Sequence, residues 1–281
     1  RNPMRRTTFG IRRLDTTIGG GAPAGSLVLL SGEAGAGARE FAYTAAAMNA
    51  LQSVDEDLFD LYYGDVTPGA EPAPNVHYIS FTAEGPRLRR EMAFVLDEEI
   101  TDAATENITF HDLSTEYFRV SPVPHDWYSN RTASITSLGG DEDRSTVPEA
   151  LGDVLSDHAT DNLVIIDSLT DLISAAGEDM SWAAIPKLLK GITRATYEWG
   201  GLVLVLLNHE TLSSERHGQL VDAADGSFLF EWESGGSTRA RTLVVRQFRG
   251  ILSAIEDEDI VQFETEIGDA GFDISDVRKI R

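Results

Sequence analysis

The sequence predicts an α/β fold: a mostly parallel sheet with helices on both faces and a C-terminal antiparallel hairpin extension. Apolar runs of strand length recur between stretches of helical spacing. A glycine-rich turn, Gly32 to Gly37, joins the first run directly to a helix-prone segment. Beyond residue 225 the pattern changes to alternation around the glycine pair Gly235-Gly236.

Leu27-Val28-Leu29-Leu30-Ser31 is the first strand, and Phe41 to Met48 begins the helix after the glycine turn. Val76 to Phe81 is the second strand. Leu88, Met92, Val95 and Leu96 then recur at helical spacing, which predicts a helix from Arg87 to Glu99. Asn107 to Leu113 is a third strand. Leu163 to Asp167 is the most apolar and fits a strand buried on both faces. A helix from Trp182 to Trp199 leads to a fifth strand, Leu202 to Leu207. Phe228 to Glu233 and Thr242 to Phe248 read as a hairpin, with a further strand from Ile260 to Thr265 extending the same sheet edge. A length of 281 residues favours one elaborated domain spanning 1–281. Residues 53–74, acidic and proline-bearing, and residues 114–146, with Pro122, Pro124 and the acidic run Asp141-Glu142-Asp143, read as surface insertions.

The formal charge is -23, and Lys187, Lys190 and Lys279 are the only lysines among 23 basic residues. Such acidic, lysine-poor composition resembles that of proteins from salt-accumulating haloarchaea. In molar salt the Debye length falls to about 3 Å, so net acidity alone does not exclude nucleic acid. A DNA or RNA partner still needs a basic track, and no long cluster of Arg or Lys is present. No apolar run reaches membrane-spanning length, and Arg1-Asn2-Pro3-Met4-Arg5-Arg6 lacks a hydrophobic leader, so a cytoplasmic protein without membrane association is expected. Cysteine is absent, which removes disulfides, thiolate metal sites and a cysteine nucleophile. His209-Glu210 with His217 lacks H-E-x-x-H spacing and the other histidines are dispersed, so no metal site is expected from them. Phe118, Trp127 and Tyr128 in the second insertion either anchor a partner or pin the loop to the domain.

Gly32-Glu33-Ala34-Gly35-Ala36-Gly37-Ala38-Arg39 stands where a phosphate-binding loop, G-x-x-x-x-G-K-[ST], belongs. Its glycines let backbone N–H groups converge on an anion at a helix N-terminus. The lysine that reaches the phosphates is Ala38, and the hydroxyl that ligates Mg²⁺ is Arg39. Loss of one charge-assisted contact costs roughly 10- to 150-fold in affinity, so binding of ATP or another nucleotide survives such a change more readily than turnover does. A cation beside the metal position disfavours Mg²⁺. Arg39 is expected to fill the vacated phosphate or Mg²⁺ position.

Ahead of that loop runs Gly10-Ile11-Arg12-Arg13-Leu14-Asp15-Thr16-Thr17-Ile18-Gly19-Gly20-Gly21-Ala22-Pro23-Ala24-Gly25. It resembles the G-[IV]-x-x-L-D-x-x-[LI]-G-G-G-[IL]-P-x-G segment of the KaiC-like and RadA-like branch of the RecA ATPase superfamily. Asp167-Ser168-Leu169 is similar to that family's Walker B D-S-L, and Phe248-Arg249-Gly250 to its late [KR]-x-R-G signature. The resemblance implies a RecA-like P-loop NTPase core, a Mg²⁺-shell role for Asp167 and assembly into a homo-oligomer. Arg249 would then act as an arginine finger toward a neighbour's phosphate, or else form a structural ion pair; Gln247 replaces the signature's lysine. Where the family has F-E-E, this chain has Phe81-Thr82-Ala83, so both water-activating carboxylates are missing at the aligned positions. Glu84, one residue on, is either a displaced catalytic carboxylate or a helix-start glutamate. The segment in which relatives place a DNA-contacting loop, residues 210–225, is net acidic. Haloarchaeal relatives of this kind are linked to signal transduction. The resemblance therefore points to a protein with a decayed ATPase site, regulatory or scaffolding, with a protein partner or its own copies. An ATPase with displaced residues and a recombinase-like DNA binder are the alternatives.

Overall fold

Alternate residues of the central apolar runs serve two separate cores, which is why those runs are apolar throughout. The computed structural model describes residues 4–129, 145–177, 180–235, 238–249 and 260–279. Along the chain lie β1 (Arg6–Thr7), α1 (Arg12–Thr17), β2 (Ala22–Pro23), β3 (Ser26–Gly32), α2 (Ala38–Val54), α3 (Glu56–Tyr62), β4 (Ala70–Glu71) and β5 (Val76–Ser80). Then come α4 (Gly85–Ala93), α5 (Glu98–Ala104), β6 (Ile108–Asp112), α6 (Ser114–Phe118), α7 (Val147–His158), β7 (Leu163–Asp167) and α8 (Leu169–Ala176). The chain ends with α9 (Ala184–Trp199), β8 (Leu202–Asn208), α10 (Ser214–Ala223), β9 (Gly226–Gly235), β10 (Thr238–Phe248), β11 (Ile260–Gly268) and β12 (Gly271–Lys279).

The main sheet has the order β12-β11-β10-β9-β3-β8-β7-β5-β6. From β9 to β6 the neighbours are parallel, and from β9 to β12 they are antiparallel. A small sheet, β2-β1-β4, closes the N-terminal lead-in. Val28, Leu30, Tyr78, Ile165 and Leu204 face one core with α2, while Leu27, Leu29, Ile79, Ile166 and Val205 face the other with α7 to α10. Every residue of α2 from Phe41 to Leu51 is buried, the mark of a helix enclosed on all sides.

Contacts account for the Asp and Gly positions of the lead-in segment. Asp15 is buried, its Oδ1 accepting from the Phe9 N–H at 2.9 Å and its Oδ2 from the Gly10 N–H at 3.0 Å and the Tyr63 hydroxyl at 2.7 Å. Burial pushes its pKa up to about 7, against the lowering effect of those three bonds. Gly21 has φ +140°, and a Cβ there would lie 2.1 Å from the Thr7 carbonyl oxygen, so only glycine fits.

The structure departs from the sequence reading in three places. The expected helix from Arg87 to Glu99 is two helices, α4 and α5, because the Asp97 N–H bonds the Asp269 carbonyl at 3.1 Å instead of continuing the turn. A fourth C-terminal strand, β12, pairs with β11, and Phe272 and Ile274 fill the core against Phe41 and Phe230. Residues 53–74 contain α3, capped by the Asp55 side chain at the Leu58 N–H, and bury Phe59 and Tyr63 in the core. Within 114–146, α6 and the exposed Trp127 are described. The acidic run 141–143, Gly236 and Gly250 lie outside the described residues. Among the described residues no helix is long and apolar enough to cross a membrane.

Candidate functional site

At the C-terminal end of β3 the chain turns through the glycine loop into α2, whose N-cap is Gly37 at φ +117°. The loop is braced from the neighbouring strand β9. The Glu33 N–H bonds the Phe230 carbonyl at 3.1 Å, Glu33 Oε2 accepts from the Trp232 N–H at 3.2 Å, and the Trp232 indole donates to the Ala34 carbonyl at 3.1 Å. A carboxylate also reaches the loop: Glu210 Oε2 accepts from the Ala34 N–H at 3.4 Å. Sequence reasoning missed Trp232 and Glu210 because they join the loop only through strand order.

A cavity of about 540 Å³ opens over the loop, between the ends of β3, β8 and β7. Gly32, Arg39, Thr82, Ser168, Asp171 and Asn208 are on its wall. The Ser168 hydroxyl accepts from the Asp171 N–H at 3.2 Å and donates to the Asp171 carboxylate at 3.0 Å, so it caps α8. Burial, then the charge of Asp167, raises the Asp171 pKa despite its bonds to Ser168. The wall also bears Glu33 and Glu40, leaving Arg39 opposed by several carboxyl groups.

Arg39 projects from the first turn of α2 onto Asp167, its Nη1 in contact with Oδ2. The same oxygen accepts the Tyr78 hydroxyl at 2.6 Å. Asp167 is only 3% exposed, whereas the Arg39 side chain is 48% exposed along the cavity. Burial works against the Arg39 charge, but Asp167 and then Tyr78 and Tyr43 outweigh it and hold the pKa above the ordinary arginine value. Burial, reinforced by Asp167, likewise raises Tyr78 well above a free tyrosine. One turn along α2, Tyr43 donates to Glu91 Oε2 at 2.5 Å, and Glu91 accepts from Arg87 Nε at 3.2 Å. Burial would raise the Glu91 pKa, yet the bonds from Tyr43 and Arg87 bring it below its usual value.

The donor set differs from that of an ordinary Mg²⁺-phosphate loop. Oδ2 of Asp167 is taken by Arg39 and Tyr78, and a guanidinium stands where the loop motif has its metal-ligating hydroxyl.

The other candidates are placed apart from this cluster. Glu84 is exposed, an N-cap of α4 without a side-chain capping bond, and it is off the cavity wall that Thr82 reaches. The N–H groups of Thr82 and Ala83 instead close on the Ser80 hydroxyl at 3.3 and 3.0 Å. Arg249 is exposed in the turn after β10, beside Phe248, which pairs with Gly226; Gly226 pairs with Val28. It therefore sits at the opposite end of the sheet from Gly32. Its N–H donates to the Asp225 carbonyl at 3.3 Å, and its charge counters the burial that raises the Asp225 pKa.

The dispersed histidines do not stay dispersed. His77, His111 and His158, far apart in sequence, meet with ring centroids 4.6 to 5.2 Å apart, and His209 stacks on His217. Among the described residues, no group of three His, Asp or Glu side chains has the geometry to hold a metal ion.

No protein-family model and no curated protein matches the chain. Among solved structures, the KaiC-like protein PH0186 from Pyrococcus horikoshii OT3 is similar over 98% of this chain and 100% of its own, with a TM-score of 0.62 and 20% identity. The chain thus has a RecA-like α/β fold of the KaiC type, with a mostly parallel sheet flanked by helices and antiparallel C-terminal strands.

Proposed function

We propose that this chain is a RecA/KaiC-like protein with a degenerate Walker A loop, acting as a regulatory or scaffolding protein instead of an ATPase. The Arg39–Asp167 contact is the observation that supports this most directly. It neutralises the acid that would organise Mg²⁺ with a cation drawn from the position of the missing hydroxyl. Ala38 and the Thr82-Ala83 pair remove the phosphate-binding lysine and the water-activating carboxylates from the same site. Nucleotide binding, where it occurs, then rests on the loop amides and Arg39 without metal. The acidic, lysine-poor composition supports a haloarchaeal cytoplasmic setting, and a protein partner or a homo-oligomer in signal transduction fits a site that has lost its chemistry.

The alternative of an ATPase with displaced residues is weakened by the exposed position of Glu84, off the cavity wall. The test is phosphate release with ATP and Mg²⁺ in molar KCl, alongside calorimetry and a size measurement with and without nucleotide. No turnover is expected. Sustained turnover that disappears in Asp167→Ala would overturn the proposal.

A further inference from the structure

His77 on β5, His111 on β6 and His158 at the C-terminal end of α7 form a three-ring cluster, in which His158 stacks on His77 and His111 is tilted against both. Interplanar angles are 24° for His77 on His158, 30° for His77 on His111 and 39° for His111 on His158. His77 Nδ1 lies 2.9 Å from His111 Nε2, a hydrogen bond that requires one nitrogen to be unprotonated. The cluster thus combines one stacked ring pair with one nitrogen-to-nitrogen hydrogen bond, an arrangement for ring contact and proton sharing. We propose that it is a proton-operated latch: neutral rings hold β6 and the end of α7 to β5, and protonation in mild acid releases them.

The position gives the latch something to release. Among the described residues β6 is the outermost strand and pairs with β5 alone, so its opening disturbs a single strand interface. The segment from 114 to 129 follows directly on β6, the strand that carries His111. It is also the segment that presents Trp127, 78% exposed. The charges bearing on His77 are those of His111 and His158, and His158 bears on His111. Val164, opposite His77 on β7, is uncharged, and the carboxylates Asp112 on β6 and Asp153 and Asp157 on α7 are exposed to solvent. Imidazolium pairs at this spacing therefore repel without a buried counter-ion.

His77 is only 7% exposed, and its burial, then the charges of His111 and His158, lower its pKa from 6.5 to about 4. A base depressed in the closed form costs nothing above pH 6.5. As pH falls from 6.5 toward 4 the open form takes up the proton first, and the gap caps the gain in opening at roughly 300-fold.

Amide hydrogen exchange at constant salt, corrected for intrinsic rates, tests this at pH 7 and pH 5. Amides of β6 and α7 are expected to lose protection at least about 10-fold more than those of β3. His77→Gln and, as a less buried change, His158→Gln should shrink that difference. Should His77→Gln fail to fold, NMR titration of the unmodified protein still decides, with a midpoint below 5 expected for His77. An ordinary midpoint near 6.5 for His77, or β6 and α7 responding no more than β3, overturns the proposal. Saturable protection of β6 by Zn²⁺ at pH 7.5 also overturns it, in favour of a metal site.

Discussion

Arg39 and Asp167, 128 residues apart in sequence, are joined by a direct contact between guanidinium and carboxylate at the mouth of the glycine loop. Asp167 is buried at the end of a central strand, so Arg39→Ala leaves it with only the Tyr78 hydroxyl as partner. A hydrogen bond to a charged group is worth about 1.5–3 kcal/mol, and solvent screening at the half-exposed arginine reduces that. The expected loss is about 1–2 kcal/mol, read as a lower urea midpoint with unchanged slope. Arg39→Lys should recover only part of it, since an ammonium lacks the fork.

Restoring the loop separates binding from chemistry. Ala38→Lys with Arg39→Thr returns the phosphate-reaching cation and the metal-ligating hydroxyl while freeing Asp167 from its ion pair. Affinity for ATP with Mg²⁺ should rise by about 10- to 150-fold over the unmodified chain in calorimetry. Phosphate release should remain at background, because Thr82 and Ala83 supply no base. Turnover in the double variant would show that Glu84 or another acid reaches the attacking water.

Asp15 carries a pH dependence of opposite sign to that of the histidine cluster. Its folded pKa of about 7 exceeds the ordinary carboxylate value of 3.8, so folding takes up a proton between those limits. Its contribution to stability is complete below pH 3.8 and is lost as pH rises through 7. The difference in unfolding free energy between the unmodified protein and Asp15→Asn should therefore change across that window and flatten above it. Asp15→Ala, which leaves the Phe9 and Gly10 N–H groups and the Tyr63 hydroxyl without their acceptor, should cost about 3–5 kcal/mol near pH 4, and less as pH rises through 7 because it too lacks the titrating carboxyl.

Much of this architecture is legible in the chain because buried parallel strands are apolar at every position. Leu163 to Asp167 and Leu202 to Leu207 need no partner to be recognised. The loss of the loop's lysine and hydroxyl is equally visible, since the glycines around Ala38 and Arg39 keep their spacing. Contacts set by strand order are not visible. Trp232 braces Ala34 from β9, and Glu210 reaches it from beyond β8, across 198 and 176 residues respectively. The histidine cluster is hidden in the same way, since β5 and β6 must pair and α7 must end beside them. β12 had a readable signal, Phe272 and Ile274 alternating after Gly271, but it lay at the end of a region already assigned to an edge hairpin. The acidity of residues 53–74 masked Phe59 and Tyr63, because two inward aromatics per helix suffice to bury a short amphipathic segment.

Glu210 competes for the loop with any anionic ligand. Its carboxylate accepts from the Ala34 N–H, so a phosphate approaching that amide must displace it and face its charge. Glu210→Gln keeps a side-chain acceptor but removes the repulsion. Metal-free ATP should then bind several-fold more tightly, with the gain smaller in molar KCl than in dilute buffer because the pair is exposed. Trp232, whose indole donates to Ala34, provides the readout: its emission should shift on ligand addition, and Trp232→Phe should abolish the shift. Equal affinity for the Glu210→Gln and unmodified proteins at low salt would place the ligand elsewhere than on the loop amides.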